Sequence, residues 1–129
     1  MHRPGFLTVI EGIDGAGKST LLGLLKPVVK AVFLAEPSRG QAGLLIREHL
    51  KAGRHLSQME WLRLFTDDRR SDLAHNIQPA LEHGHDVVLD RYYYSTAAYQ
   101  GQNQDGLQSA ERILRDQQSI FRKPDLLIF

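Results

Sequence analysis

Eight residues near the N-terminus, Gly12-Ile13-Asp14-Gly15-Ala16-Gly17-Lys18-Ser19, have the types and spacing needed to hold a run of phosphate groups. They fit the pattern G-x-x-x-x-G-K-[ST] at every fixed position, a match that chance gives in roughly one of three hundred chains of this composition. Glycines let successive backbone N–H groups turn inward around phosphate oxygens, and a following helix N-terminus adds partial positive charge. Lys18 can then reach the β- and γ-phosphates, and the Ser19 hydroxyl can ligate Mg2+. The candidate triphosphate-binding set is Gly12, Ile13, Asp14, Gly15, Ala16, Gly17, Lys18, Ser19 and Thr20. A second carboxylate, Asp90, closes the apolar run Val87-Val88-Leu89, where a parallel sheet would present it to a metal shell. Arg91 follows it and brings positive charge to the same edge.

These residues need strands and helices to hold them. Phe6 to Ile10 is a short apolar, β-branched run that stops at the glycine-rich segment, as a buried strand feeding a tight loop does. Leu21, Leu22, Leu24 and Leu25 keep helical spacing until Pro27, and Ala31 to Ala35 reads as a second strand. Leu44 to Leu50 predicts a helix ending at Gly53. Ser57-x-x-Glu60 has the form of a capping box and opens a long amphipathic helix toward Leu73. Pro79 should interrupt that helix and Gly84 close it. Asp86 to Asp90 reads as a third strand, Thr96 to Gln100 as a short helix, and about Leu107 to Phe121 as a longer one. Leu126 to Phe129 is a fourth apolar strand. Strands alternating with helices at this spacing predict βαβ units and a mostly parallel sheet in a three-layer α/β fold.

Composition narrows the class. Sixteen Lys and Arg against fifteen Asp and Glu leave a net charge of +1, too balanced for a nucleic-acid or anionic-membrane binder. Without cysteine there is no disulfide framework or thiolate metal site, which fits a reducing cytoplasm. No early apolar run is long enough for a signal peptide or a membrane span. His83-x-His85 lacks the spacing of a zinc site. Residues 1–129 read as one domain; because the chain stops inside an apolar strand, that domain is expected to lack its C-terminal part. On these residues alone, three classes stay open: a small-molecule kinase, a GTPase or ATPase switch, and a nucleotide-binding module without turnover. The N-K-x-D segment with which switch GTPases read guanine is absent.

Further landmarks narrow the choice. Ile10-Glu11 before the phosphate loop, Glu36-Pro37-Ser38-Arg39, Leu64-Phe65 with Asp68-Arg69, Asp90-Arg91-Tyr92, Ser95 to Gly101 and Pro124-Asp125-Leu126 occur in this order. The set resembles the thymidylate kinase family of P-loop nucleoside monophosphate kinases over essentially the whole chain. The resemblance implies phosphoryl transfer from Mg·ATP to dTMP, a cytoplasmic enzyme and a homodimer. It implies a catalytic set of Lys18, Arg91 and Asp14, with Asp14 also on the deoxyribose 3′-hydroxyl. Arg39 would guide the acceptor 5′-phosphate and Arg91 clamp it. Phe65 would stack on thymine and Arg69 bond its O4, while Thr96 approaches the base edge. Tyr99 would pack beneath the sugar where a 2′-hydroxyl does not fit, and Ser19 with Asp90 would hold the metal. Phe65 and Arg69, four apart, share a helix face and can form two sides of one slot, although core packing and an ion pair with an acidic neighbour are the plainer reading of that pair. The rest of the Asp67 to Arg70 run reads as a solvated helix face. Two departures stand out. Ser38-Arg39-Gly40-Gln41 replaces the Gly-Gly-Thr many members carry after Glu-Pro, and Gly15 matches the subgroup that supplies its catalytic arginines from a lid.

Overall fold

Each apolar run becomes a strand, and each strand is joined to the next by helices. The computed structural model describes residues 3–13, 15–101 and 109–129. In chain order the elements are β1 (Leu7–Ile10), α1 (Lys18–Leu25), β2 (Val32–Ala35), α2 (Gln41–Ala52), α3 (Gln58–Asp72), a π-helical turn (Leu73–Ile77), α4 (Gln78–Glu82), β3 (Val87–Asp90), α5 (Tyr93–Gln100), α6 (Ala110–Ile120) and β4 (Leu126–Ile128). The strands pair in the order β2-β3-β1-β4, all parallel, as the alternation predicted.

Local signals set most boundaries. Ser57 Oγ accepts from the Glu60 amide and the Glu60 carboxylate accepts from the Ser57 amide, so the predicted capping box starts α3. Gly53, at φ +65°, ends α2 in the left-handed conformation that favours glycine. Two boundaries differ from expectation. Pro79 does not break the helical path. A proline lacks an N–H and crowds the carbonyl four residues back, and here the helix widens just before it, with the Gln78 amide donating to the Leu73 carbonyl five residues behind. Helix α5 starts at Tyr93, three residues before the expected Thr96. Its N-terminus is capped by a side chain from another strand, which no local pattern announces. The expected start of α6 near Leu107 lies outside the described residues.

The pleat sorts residues onto two faces. Leu7, Val9, Val87 and Leu89 pack with Ile77, Leu81, Tyr92, Tyr93 and Phe121 in the main core. Ile10 and Val88 face the other way and pack on Leu22 of α1. Ile10, Asp90 and Ala35 stand in one row across the sheet at its carboxyl edge. The ladder runs one residue further: the Arg91 amide donates to the Ile10 carbonyl at 3.0 Å and the Glu36 amide to the Asp90 carbonyl at 3.0 Å. Among the described residues no helix is long and apolar enough to cross a membrane.

The turn after β2 is seated on α3. The Asp68 carboxylate accepts from the Ser38 amide at 2.7 Å and the Ser38 hydroxyl at 2.5 Å. Gly43 makes room for this turn, since a Cβ there would sit 2.0 Å from the Ser38 carbonyl oxygen and 2.9 Å from Asp68 Oδ1. Gly43→Ala should therefore destabilise the protein by about 1–3 kcal/mol, read from urea unfolding, because backbone rather than a flexible side chain must move. An unchanged midpoint would mean that the turn yields freely.

Candidate active site at the carboxyl edge of the sheet

The phosphate loop joins β1 to α1. Gly15 and Gly17 have φ of +85° and +89°, and a Cβ at either would meet nothing within 4 Å. Glycine is needed there for backbone freedom rather than for space. Helix α1 begins on left-handed Gly17, which has no side chain with which to cap the helix, and a helix N-terminus favours an anion. Gly12 and Ala16 lie on the same loop, Ile13 is exposed, and Ser19 and Thr20 are exposed on the first turn of α1. Asp14 falls outside the described residues.

Lys18 extends from that turn to Asp90, with Nζ 2.6 Å from Oδ1. The pleat explains the meeting, because Asp90 shares the face of Val88 and Ile10 that α1 covers. Arg91, one residue on, lies over the opposite face. Among the described residues no group of three or more His, Cys, Asp or Glu side chains could hold a metal ion unaided. Ser19 and Asp90 supply one hydroxyl and one carboxylate, hard oxygen donors of the kind Mg2+ takes when phosphates complete its shell.

Two clefts open on this edge. One, of about 580 Å3, is lined by Phe65, Arg69, Arg91, Thr96 and Tyr99 together with Glu36, Trp61 and Tyr92. It gathers five of the residues assigned to an acceptor nucleotide. Arg39 is not among them; with Ser38, Arg47, Lys26 and Asp90 it lines the neighbouring cleft of about 660 Å3 beyond Pro37. Phe65 stands one helical turn from Trp61, ring centroids 6.2 Å apart. The Arg91 guanidinium donates to the Tyr99 hydroxyl at 3.2 Å and lies 5.7 Å from the Tyr99 ring centre.

Arg69 sits at the floor of the smaller cleft and is 1% exposed. Its Nε and Nη2 bond the Glu36 carboxylate at 2.7–3.3 Å, Nη1 donates to Gln117 Oε1 at 2.6 Å, and Nη2 donates to Thr96 Oγ1 at 2.7 Å. These bonds use four of the guanidinium's five N–H groups, leaving one on Nη1. The ion pair with an acidic neighbour is thus present, and the same residue also lines the cleft. Asp68, Arg69 and Asp72 are buried, so only Asp67 and Arg70 of the Asp67 to Arg70 run form the expected exposed face. Sequence reasoning missed Glu36, Gln117, Trp61 and Glu11 as site residues. Trp61 carried a signal, being four residues from Phe65; Gln117 carried none.

This fold and this edge define a P-loop nucleoside monophosphate kinase fold, with a glycine-rich loop and a second cleft on one sheet edge. The family model for thymidylate kinase matches residues 10–129, and the chain belongs to the thymidylate kinase family. It is 39% identical over 134 residues to the thymidylate kinase of Leptospira borgpetersenii, covering 100% of this chain and 64% of that protein. It is 46% identical over 105 residues to the thymidylate kinase of Akkermansia muciniphila, covering 78% of this chain and 50% of that one. The chain therefore spans roughly half to two thirds of the length of these relatives. The crystal structure of thymidylate kinase from Ehrlichia chaffeensis superposes with a TM-score of 0.75 at 30% identity, over 96% of this chain and 74% of that one. That from Candida albicans gives 0.74 at 28% identity, over 98% and 63%.

Opposing forces act on Glu36, where the Asp72 and Asp68 charges add to the effect of burial. Burial pushes its carboxyl up to about 7, and the Arg69 guanidinium beside it pulls the other way without prevailing. The folded protein thus holds the Glu36 proton more tightly than an unfolded chain with its ordinary value of 4.5. Stability from this group is full below about pH 4.5 and is lost as pH rises through about 7. The difference in unfolding free energy between wild type and Glu36→Gln should shrink from pH 5 to pH 8 in urea titrations. A difference that grows with pH would show that Arg69 outweighs burial.

Proposed function

We propose that this protein transfers the γ-phosphoryl group of ATP to dTMP, giving dTDP and ADP. The observation that carries the reading is the divergence of two adjacent residues. Asp90 meets the phosphate-loop Lys18 on one side of the sheet, and Arg91 enters the second cleft on the other. A donor in the cradle and an acceptor in the cleft would meet across a single peptide unit of β3.

An oxygen of the acceptor 5′-phosphate attacks the γ-phosphorus while the bond from that phosphorus to the β–γ bridging oxygen breaks. Little covalent chemistry falls to the protein, so its work is alignment and charge neutralisation. Loop amides and the α1 N-terminus hold the triphosphate. Lys18 exchanges Asp90 for phosphate oxygens, and Arg91 exchanges Tyr99 for the acceptor phosphate. Arg39, at the mouth of the adjoining cleft, adds charge from the far side of Pro37. Ser19 and Asp90 would hold Mg2+ together with the nucleotide, and the ion would supply further charge neutralisation. Asp14 belongs to the same reading through the family resemblance.

Phe65 and Arg69 supply a stacking surface and one guanidinium N–H for a base carbonyl, and the Thr96 hydroxyl keeps its proton to donate. Tyr99 walls the side from which a sugar would enter and is the group proposed to exclude a ribose 2′-hydroxyl. The reading includes a homodimeric, cytoplasmic enzyme, on the family resemblance.

With labelled ATP and a panel of dTMP, thymidine, UMP and dCMP, label should pass to dTMP. Transfer to thymidine instead would make the protein a deoxynucleoside kinase, and nucleotide binding without transfer would make it a binding protein. Phe65→Ala should weaken dTMP binding by about 1–3 kcal/mol, the worth of stacking on one base, and leave ATP binding unchanged. Equal losses for both nucleotides would return Phe65 to the core.

A further inference from the structure

Glu11 has no part in the reading above, yet it is 4% exposed and makes three hydrogen bonds to the acceptor side of the site. Its Oε2 accepts from the Tyr92 amide and the Ser95 amide, both at 3.0 Å, and its Oε1 accepts from the Ser95 hydroxyl. Tyr92 is the N-cap of α5 and offers no side-chain cap of its own. Glu11 fills that role from the residue after β1, at the helix end where a negative charge is favoured. Burial pushes its carboxyl up from the ordinary value, and the bonds to Ser95 and Tyr92 and the nearby Arg91 charge oppose this.

The contact matters because of what lies between. Arg91 has φ +73° and is the one non-glycine among the described residues with a positive φ. Such a conformation is strained for a residue with a side chain and persists only where the surroundings enforce it. Here the amides of Arg91 and Tyr92 are held by successive residues of one strand end, the Ile10 carbonyl and the Glu11 carboxylate. Glu11 also directly precedes Gly12, the first residue of the phosphate loop. The same residue therefore roots the donor cradle and fixes the backbone of the acceptor clamp.

We propose that Glu11 is a positioning residue that holds the Arg91 clamp in register with the phosphate loop, through its bonds to Tyr92 and Ser95. The inference rests on the acceptor role of Arg91 proposed above. Reach, rather than charge, is what the geometry requires. In Glu11→Gln the amide oxygen can accept from both backbone N–H groups and the NH2 can donate to the Ser95 hydroxyl, which reverses. In Glu11→Asp the charge stays, but a side chain one methylene shorter cannot bring its carboxylate to the two amides that share Oε2.

The test is the ratio of thymidine to dTMP dissociation constants, by calorimetry, alongside ATP binding, kcat and the unfolding midpoint. Arg91→Ala sets the ratio without a clamp. Glu11→Asp should lower the ratio about tenfold and kcat by on the order of 100-fold, as a misplaced group about 1 Å out of line does, with ATP binding unchanged. Glu11→Gln should keep the wild-type ratio within about threefold. Adding Glu11→Asp to Arg91→Ala should change the ratio by no more than about twofold, since both act through one guanidinium. Should Glu11→Asp fail to fold, Ser95→Ala carries the same comparison with a smaller loss.

Loss of the ratio in Glu11→Gln would show that charge is what counts and overturn the proposal. Its survival in a folded Glu11→Asp, or in Ser95→Ala where that variant stands in, would overturn it too. So would equal losses of ATP and dTMP binding. A wild-type protein with no preference for dTMP over thymidine overturns the thymidylate reading first, and this inference with it.

Discussion

Three charged residues stand one step past the last residue of three neighbouring strands, and the site depends on the hydrogen-bond ladder that carries them there. Glu11, Arg91 and Glu36 follow Ile10, Asp90 and Ala35, which form a single row across β1, β3 and β2. Their amides continue the ladder, to Ile128, Ile10 and Asp90 carbonyls respectively. The pleat then sends Glu11 and Glu36 to the face of the main core and Asp90 to α1 and the phosphate loop, while Arg91, at φ +73°, leaves the strand and lines the smaller cleft. A slip of one residue in any strand would exchange the faces and dismantle both halves of the site together.

Each of the three charges is held differently, which sets what each can do. Glu36 is buried against Arg69 in a bidentate pair, so its worth lies in orienting that guanidinium rather than in net stability. Glu11 is buried against backbone amides and shapes the chain around Arg91. Arg91 is half-buried and donates to the Tyr99 hydroxyl, a neutral group that a phosphate outcompetes on charge alone. The proposed donor side repeats the pattern, with Lys18 on Asp90 at a helix end that starts on glycine. Fixed carboxylates thus hold the frame, and the cations proposed to meet phosphate rest on partners they can exchange.

The long helical path from Gln58 to Glu82 supplies the opposite wall. Trp61, Phe65 and Arg69 recur every four residues and line the smaller cleft in turn. Asp68, next to Arg69 in sequence, anchors the turn carrying Arg39 instead. One turn of α3 therefore serves both clefts. The widened turn at Leu73–Ile77 lets the path continue to Pro79 and bring Ile77 and Leu81 into the core.

The phosphate loop, the parallel α/β order, the capping box of α3 and the family landmarks were all legible in the order of residues. All of these rest on local spacing: a glycine conformation, a pleat of two, a helical repeat of about four. The sequence also marked Phe65, Arg69, Arg91, Thr96 and Tyr99, which the fold gathers into one cleft. Which partner each charge takes emerged from the folded chain. Arg69 meets Glu36 across 33 residues and Gln117 across 48, and Glu11 caps α5 across 84. The fold likewise set Arg39 apart in the neighbouring cleft and moved the start of α5 to Tyr93. No local pattern encodes such pairs, because strand order and register set them, and those are fixed by burying both faces of the sheet at once.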